Sequence, residues 1–213
     1  MFLDLRRDRY LSVPQQLMDE LAPYIANWTL PYPGSHTHLP PTAPIRNLAD
    51  DLLEAGIIVS TFHAPPTTSA QSSSSTIAQR SVIDCDNPAR KSTNRLSALV
   101  AMLYADYTMR RSPLWRITQN LRLYPEQARH SFDQVSSLTQ EFLFIRPWYP
   151  RNYLCLFDSL ALTLFLLHRG IRAQWIFGVR EEPFAAHCWV QYDALVLNEH
   201  LDKTRVYTPI MIV

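Results

Sequence analysis

The most informative segment of the sequence is Cys155-Leu-Phe-Asp-Ser-Leu-Ala-Leu-Thr-Leu-Phe-Leu-Leu-His-Arg169, which follows the turn Pro147-Trp-Tyr-Pro150. Its nearly continuous apolar composition predicts a buried helix from Cys155 to Arg169, with Gly170 as the C-terminal stop. The apolar segments after it predict three strands, at Ile171–Val179, His187–Tyr192 and Leu195–Glu199. Helices followed by antiparallel strands indicate an α+β domain.

Two further helices are predicted upstream of this stretch. Large apolar residues repeat at helical spacing up to the break at Ser112-Pro113, and a second such repeat precedes the aromatic turn. The first repeat consists of Leu96, Leu99, Val100, Leu103 and Tyr107, and the second of Phe132, Val135, Leu138 and Phe142. We therefore place the main domain at residues 94–213.

Residues 1–62 have the pattern of a separate small domain. Met1–Leu5 and Arg9–Val13 predict a β-hairpin, and Gln16–Ile25 and Ile45–Ala55 predict helices. Ile57-Ile58-Val59 could add a closing strand. Two helices and a hairpin in this length indicate a winged-helix-like module.

The region between the two domains has a different composition. Residues 63–93 contain Pro65-Pro66-Thr67-Thr68 and the serine run Ser72–Ser75, with few large apolar side chains. Such a segment buries too little surface to order itself, so we expect a flexible linker. Cys85 falls in it, which makes Cys85 a poor candidate for a catalytic group.

Composition excludes several classes of protein. The formal net charge is +1, from 20 basic and 19 acidic residues, and no basic run indicates nucleic-acid binding. The four glycines form no phosphate-binding loop. We find no signal peptide and no apolar run long enough to cross a membrane. Three cysteines give no even disulfide framework, so a reducing, cytoplasmic setting is expected.

Cys155 and His187 are the candidate catalytic pair. A thiol at a helix N-terminus meets unpaired N–H groups and the positive end of the helix dipole, which favour the thiolate. His187 begins a strand of the predicted sheet, where an imidazole could take the proton of the thiol. A cysteine opening a helix and a histidine opening a strand are arranged as in papain-like and transglutaminase-like enzymes.

Simpler interpretations exist for each residue taken alone. A cysteine in an apolar helix is usually a small buried hydrophobe. A zinc site of Cys155, His187 and Cys188 is disfavoured, because neighbouring residues of a strand point to opposite faces and no C-x-x-C or H-x-x-x-H spacing occurs. We therefore predict no metal and no cofactor, and place Cys188 on the buried face opposite His187.

A set of ordered motifs favours the catalytic interpretation of Cys155 and His187 over these simpler ones. The segments Cys155-Leu-Phe-Asp-Ser-Leu-Ala-Leu, Phe177-Gly-Val-Arg, Ala186-His-Cys-Trp-Val and Leu197-Asn-Glu, with Arg169-Gly-Ile-Arg-Ala and Pro183-Phe between them, resemble the lasso-peptide B proteins. These are maturation proteases of the microcin J25-processing type, with a transglutaminase-like fold. The resemblance implies a cysteine peptidase that frees the core of a lasso-peptide precursor for a separate ATP-dependent cyclase.

The N-terminal segments Phe2-Leu-Asp-Leu-Arg-Arg-Asp-Arg-Tyr-Leu and Leu52-Leu-Glu-Ala-Gly-Ile-Ile resemble PqqD-like peptide-recognition domains. The resemblance implies that the precursor's leader adds as a strand beside Arg9–Val13 and packs on the Ile45–Ala55 helix. The implied leader-binding residues are Arg9, Tyr10, Leu11, Val13, Leu48 and Leu52. Leu48 and Leu52 could equally be ordinary core residues.

The third catalytic member remains open between two neighbours. The resemblance places the orienting acid at Glu199, where the family has aspartate, whereas papain-like enzymes use asparagine and Asn198 precedes it. A strict two-residue turn at Asp193-Ala194 would put Asn198 on the face of His187, and a three-residue connection would put Glu199 there. Two rivals to the peptidase also remain: acyl transfer to an amine, and a non-catalytic scaffold that delivers the precursor to the cyclase.

Overall fold

The computed structural model describes residues 2–4, 9–11, 47, 50, 52, 77–85, 95–125, 129–180 and 182–213. The chain divides into two units, Met1–Gln71 and Ser72–Val213. Cys155, His187 and Glu199 all belong to the second unit. In the described part of the chain, no helix has the length and apolar character that crossing a membrane requires.

The first unit contains the predicted hairpin. Strands β1 (Phe2–Asp4) and β2 (Arg9–Leu11) pair antiparallel, with Phe2 opposite Leu11. Leu52 is helical and 3% exposed. The predicted helix Gln16–Ile25, the closing strand Ile57-Ile58-Val59 and the positions Val13 and Leu48 lie outside the described residues. The winged-helix-like architecture therefore stays a prediction.

The second unit is an α+β domain, and the three helices predicted for it lie close to their expected positions, whereas the helix after Pro113 and the short last helix were not predicted. They are α1 (Arg95–Arg111), α2 (Leu114–Arg122), α3 (Phe132–Ile145), a 3₁₀ turn (Arg146–Trp148), α4 (Cys155–Leu167) and the short α5 (Leu201–Arg205). Pro113 separates α1 from α2, and the Ser131 hydroxyl caps α3 by accepting a hydrogen bond from the Gln134 N–H at 3.3 Å. Gly170 follows α4 with φ of 77°, a backbone conformation that favours glycine at a helix end.

The buried face of α1 differs from its apolar repeat. The helix buries Ala98, Ala101, Met102 and Ala105, whereas Leu96 is 80% exposed. Helix α4, in contrast, is buried along most of its length. Since α1 presents mainly small side chains, it can approach neighbouring helices closely.

The sheet has five strands in the order β3-β6-β5-β4-β7. They are β3 (Arg80–Ser81), β4 (Gln174–Arg180), β5 (Ala185–Tyr192), β6 (Leu195–Val196) and β7 (Thr208–Ile212). β4 and β5 form the central antiparallel pair, and Asp193 takes the positive φ of 49° in the turn from β5 to β6. Strand β6 ends three residues before the predicted end of this strand at Glu199.

Residues 77–85 correct part of the linker prediction. Strand β3 pairs parallel to β6, and Ser81 and Val82 are 1% and 2% exposed. The order comes from backbone hydrogen bonds: the N–H of Gln79 donates to the carbonyl of Ala194 at 2.8 Å. Composition misses such a strand because an edge pairing requires few large apolar side chains. The sheet domain therefore begins before residue 94, and Cys85 is an exposed free cysteine at the end of this segment.

Candidate active site

The candidate nucleophile lies where the sequence predicted it. Cys155 is the first residue of α4, preceded by Leu154 in an extended conformation. The first turn of a helix leaves backbone N–H groups without intrahelical partners, and these and the helix dipole favour a thiolate. The Cys155 side chain is a free thiol of intermediate burial, which leaves it open to a substrate.

A buried arginine organises the loop before Cys155. Arg146 is 2% exposed and forms an ion pair with the carboxylate of Asp158. Its guanidinium also donates to the carbonyls of Arg151 at 3.2 Å and Asn152 at 3.1 Å. The other carboxylate oxygen of Asp158 accepts the N–H of Leu154 at 2.9 Å. One arginine and one aspartate thus fix the chain on both sides of the nucleophile.

Burial raises the pKa of Asp158 above its usual range and outweighs the opposing hydrogen bond from Arg146. The Arg146–Asp158 pair was not predicted. The available signal was an arginine in front of the Pro-aromatic turn and an aspartate in the first turn of the following helix. Neither signal indicates from the sequence alone that the two residues form an ion pair.

His187 lies on β5, opposite Gly178 of β4. A side chain at position 178 would place its Cβ 2.9 Å from the Trp189 ring and 3.0 Å from the Cβ of Tyr207. Glycine therefore permits the close packing of these aromatic residues. The ring centroid of Tyr207 lies 5.2 Å from that of His187, so Tyr207 forms one wall of the imidazole's site.

Glu199 is the residue that contacts His187. The imidazole Nε2 and the Glu199 carboxylate Oε2 are 2.7 Å apart. Asn198 points elsewhere: its side-chain oxygen accepts the N–H of Val190 at 2.8 Å, and its amide donates to the Ser159 hydroxyl at 3.0 Å. The sequence left Glu199 and Asn198 as alternative partners of His187. The structure brings Glu199 to the histidine, whereas Asn198 connects Val190 of β5 to Ser159 of α4.

The turn argument would have given the opposite answer. Tyr192 pairs with Leu195, as in the strict two-residue turn that was expected to favour Asn198. Strand β6 ends at Val196, however, and the side-chain oxygen of Asn198, rather than a backbone carbonyl, accepts the N–H of Val190. Alternation of side chains holds only within a strand, so it does not reach residues 198 and 199.

The Glu199 carboxylate has two further donors. Lys203 donates to Oε2 at 2.7 Å, and the N–H of His200 donates to Oε1 at 3.0 Å. Burial opposes the charge, but the hydrogen bonds from His187 and Lys203 lower the pKa of Glu199 to about 2. The carboxylate is therefore ionised at neutral pH. Lys203, which lies in the first turn of α5, was not predicted.

Cys155 and His187 are hydrogen-bonded to each other. Hydrogen bonds from the Cys188 thiol and from His187 lower the pKa of Cys155 to about 4, although burial opposes the charge. Burial also opposes a charged imidazole, but its hydrogen bonds to Cys155 and Glu199 raise the pKa of His187 to about 9. Between these values the pair is a thiolate and an imidazolium, the reactive form of a cysteine nucleophile.

Cys188 needs one correction. It is buried, as predicted, but its thiol reaches Cys155 as well, and this hydrogen bond, followed by burial, raises the pKa of Cys188 above its ordinary value. Strand alternation fixes the directions of neighbouring side chains, not which of them a residue on another element can contact. Within residues 77–85, 95–125, 129–180 and 182–213 and the few described positions before them, no group of three metal-ligating side chains occurs.

One comparison with known proteins identifies the family of this domain. The model of the Transglutaminase-like superfamily matches residues 99–212, more than half of the chain. The matched range includes Cys155, His187 and Glu199 and excludes β3. No curated protein and no solved structure matches the chain. This superfamily includes cysteine peptidases and transglutaminases, which is consistent with a cysteine-protease-like fold. With more than half of its length matched, the chain belongs to the transglutaminase-like superfamily.

Proposed function

We propose that the protein is a cysteine peptidase that cleaves a ribosomally made lasso-peptide precursor at its leader–core junction. The observation that carries the proposal is the hydrogen-bonded series Cys155–His187–Glu199, with 2.7 Å between the imidazole and the carboxylate. A scaffold that only carries a peptide gains nothing from a thiol of low pKa. The sequence motifs described above supply the substrate class.

The first chemical step is acylation. The Cys155 thiolate attacks the carbonyl carbon of the scissile peptide bond, and the carbonyl π electrons move to the oxygen. Backbone N–H groups at the start of α4 would stabilise the resulting oxyanion. The imidazolium of His187 then protonates the departing amine as the C–N bond breaks. The leader is left as a thioester on Cys155, and the freed amine belongs to the core peptide.

The second step is hydrolysis. Neutral His187 takes a proton from a water molecule, whose oxygen attacks the thioester carbon. The carbon–sulfur bond breaks and the leader leaves as a carboxylic acid, which restores the thiolate–imidazolium pair. Glu199 keeps the imidazole oriented through both steps and stabilises its charged form. The freed core amine would pass to an ATP-dependent cyclase that closes the ring.

The N-terminal unit would capture the leader. In this proposal the leader adds as a strand beside Arg9–Val13, with backbone bonds giving affinity and alternate side-chain pockets giving selectivity. The hairpin β1–β2 supports it, since it contains the residues Arg9, Tyr10 and Leu11. The burial of Leu52 is that expected of a core residue, so its contribution to binding would be small. Capture raises the effective concentration of the cleavage site, so leaderless peptides should be poor substrates.

Intact mass spectrometry of the precursor peptide tests the proposal. The wild type should produce one cut at the leader–core junction, and Cys155→Ala should produce none. Cys85→Ala is the matched control, because Cys85 is an exposed free cysteine outside the site. Binding without cleavage by the wild type, even with the cyclase added, would favour the scaffold. Appearance of a leader–amine conjugate would favour acyl transfer.

The pH profile gives a second test of the same chemistry. The thiolate forms as the pH rises through about 4, and the imidazolium is lost as the pH rises through about 9. Cleavage should therefore be constant between these limits and decline outside them. Alkylation of Cys155 near pH 6 should be far faster than that of an ordinary thiol. Equal rates would contradict an activated nucleophile.

A further inference from the structure

A short segment outside the family match holds the part of the chain that contains Glu199. We call residues 79–84 the strap. They include β3, at the edge of the sheet next to β6, and they precede the matched range of residues 99–212. The strap therefore adds contacts from outside the matched range.

Glu199 lies outside the strands of the sheet, so other contacts must hold its backbone in place. Strand β6 ends at Val196, and α5 begins at Leu201, so Glu199 lies in the irregular connection between them. A carboxylate on such a segment would have considerable freedom, whereas orientation of an imidazole requires a fixed partner.

Ser81 binds the backbone of Glu199 directly. Its hydroxyl donates to the Glu199 carbonyl at 2.6 Å and accepts the N–H of Ile83 at 3.1 Å. Ser81 is 1% exposed, so neither bond competes with bulk water. The N–H of Val82 donates to the carbonyl of Val196 at 2.9 Å, which places the strap in register with the end of β6.

Asp84 binds the two residues that follow Glu199. One carboxylate oxygen lies 2.7 Å from Nδ1 of His200, and the other accepts the N–H of Leu201 at 3.0 Å. The bond from Leu201, followed by that from His200, lowers the pKa of Asp84. The strap thus contacts the backbone of Glu199 and the start of α5, the helix from which Lys203 reaches the same carboxylate.

We propose that the strap holds Glu199 against His187, with Ser81 and Asp84 as positioning residues for the catalytic histidine. The inference rests on the role of Glu199 in the proposed peptidase. The bonds from Ser81 and Asp84 fix the chain immediately at and after Glu199, where the sheet ladder no longer does. The charged or titratable residues around the Glu199 carboxylate are His187, His200, Lys203 and Asp84.

The test compares Ser81→Ala with Thr118→Val. Thr118 is 2% exposed and its hydroxyl donates to the Trp115 carbonyl at 2.9 Å, so each variant removes one buried hydroxyl bonded to the backbone. Because Glu199 stabilises the imidazolium, a looser Glu199 should lower the pKa of His187 from about 9. The basic limb of the cleavage profile should therefore move to lower pH in Ser81→Ala and stay in place in Thr118→Val.

We expect kcat to fall about threefold to tenfold in Ser81→Ala with KM unchanged, as for the loss of one hydrogen bond. In a Glu199→Gln background, Ser81→Ala should have no further effect on kcat, because it acts through Glu199. Additive effects, or an unchanged basic limb in a folded Ser81→Ala protein, would overturn the proposal. If Ser81→Ala does not fold, Asp84→Asn takes its place, since the Asp84 side chain is 41% exposed.

The pH titration of the His187 imidazole, followed by NMR in the full-length protein, separates this inference from the proposed function. This measurement requires no peptide. A lower His187 pKa in Ser81→Ala, together with no precursor cleavage by the wild type, would support the strap and reject the peptidase. Cleavage by the wild type with the same His187 titration in both proteins would retain the peptidase and reject the strap.

Discussion

The two halves of the candidate site are built in different ways. The nucleophile half is local: Arg146, Asp158 and Cys155 lie within one short stretch, and the ion pair between the buried Arg146 and Asp158 fixes it. The acid–base half combines three separate segments, which are the strap, strand β5 and the connection from β6 to α5. Arg146 is almost fully buried, whereas the Lys203 side chain beside Glu199 is 52% exposed.

This difference predicts how each half responds to change. Breaking a buried ion pair leaves an unpaired charge in the protein interior, which is costly. Removing one of several partly exposed contacts leaves the others and allows water to replace it. Loss of the ion pair should therefore disrupt the whole nucleophile half. In the acid–base half, each lost contact should have only a limited effect.

Among the changes that leave the nucleophile in place, the largest effect is expected for His187→Gln, where the two halves meet. Loss of the general acid and base should lower kcat about 10²-fold to 10⁴-fold. The thiol should also lose its imidazolium partner, so alkylation of Cys155 should shift toward the pH dependence of an ordinary thiol. His130→Gln is a control with the same substitution outside the site. Unchanged alkylation in His187→Gln would show that the helix end and Cys188 activate the thiol without the histidine.

Arg146→Met tests whether the nucleophile half depends on its ion pair. Loss of the buried guanidinium should lower the free energy of unfolding by about 3–5 kcal/mol, since Asp158 is left without its cation. Urea unfolding measures this change. Arg110→Met, which removes a 74% exposed partner of Asp106, should change it by less than about 1 kcal/mol. The double variant Arg146→Met/Asp158→Leu should recover part of the loss, and no recovery would mean that the carbonyl contacts of Arg146 dominate.

In the acid–base half, Glu199→Gln tests the orientation of the His187 imidazole, and Asn198→Ala tests the stability of the surrounding fold. Glu199→Gln should lower kcat about tenfold to 100-fold and move the basic limb of the profile to lower pH, because the imidazolium loses its anion. Asn198→Ala should instead lower the free energy of unfolding by about 1–3 kcal/mol through its lost bonds to Val190 and Ser159. Steady-state kinetics and urea unfolding distinguish the two. If the basic limb of the pH profile moved in Asn198→Ala and not in Glu199→Gln, Asn198 rather than Glu199 would be the residue that orients His187.

The smallest effect is expected for Lys203→Ala. Glu199 has a folded pKa of about 2, below its ordinary value of 4.5, so its contribution to stability is present above pH 4.5 and is lost as the pH falls toward 2. Removing Lys203 should reduce this contribution, by no more than about 1 kcal/mol because the lysine is half exposed. Unfolding measured from pH 2 to 6 detects it. Arg205→Ala, which removes another exposed cation of α5, should leave the acid dependence unchanged.

The sequence predicted helices α1, α3 and α4 of the second unit and its three central strands to within a few residues, but it did not predict α2, α5 or β7. It also identified Cys155 at a helix start and His187 on a strand. These predictions depend on local signals, which are apolar runs, prolines and glycines at element ends, and chemistry at defined positions. The hairpin β1–β2 was found in the same way. Substrate class, leader binding and the partner cyclase stay predictions from resemblance.

The failures occurred where backbone pairing decides the structure. Residues 77–85 were included in the predicted linker because of the Pro- and Ser-rich composition of residues 63–93 as a whole, yet backbone bonds to Ala194 and Val196 make them part of the sheet. The turn argument for Asn198 assumed that a strand continued after Val196. Neither the parallel pairing of β3 nor the early end of β6 leaves a periodic pattern in the side chains.

Local sequence patterns indicated the long helices and the central strands, the cysteine that begins the buried helix and the histidine on the sheet. Helical and strand periodicity and capping chemistry are properties of neighbouring residues, so they can be read along the chain. Three contacts became evident from the folded chain alone: Glu199 rather than Asn198 reaches His187, Arg146 holds the loop before Cys155, and Ser81 binds the Glu199 carbonyl. These contacts join distant segments, and their geometry depends on where strands end and how the sheet is ordered.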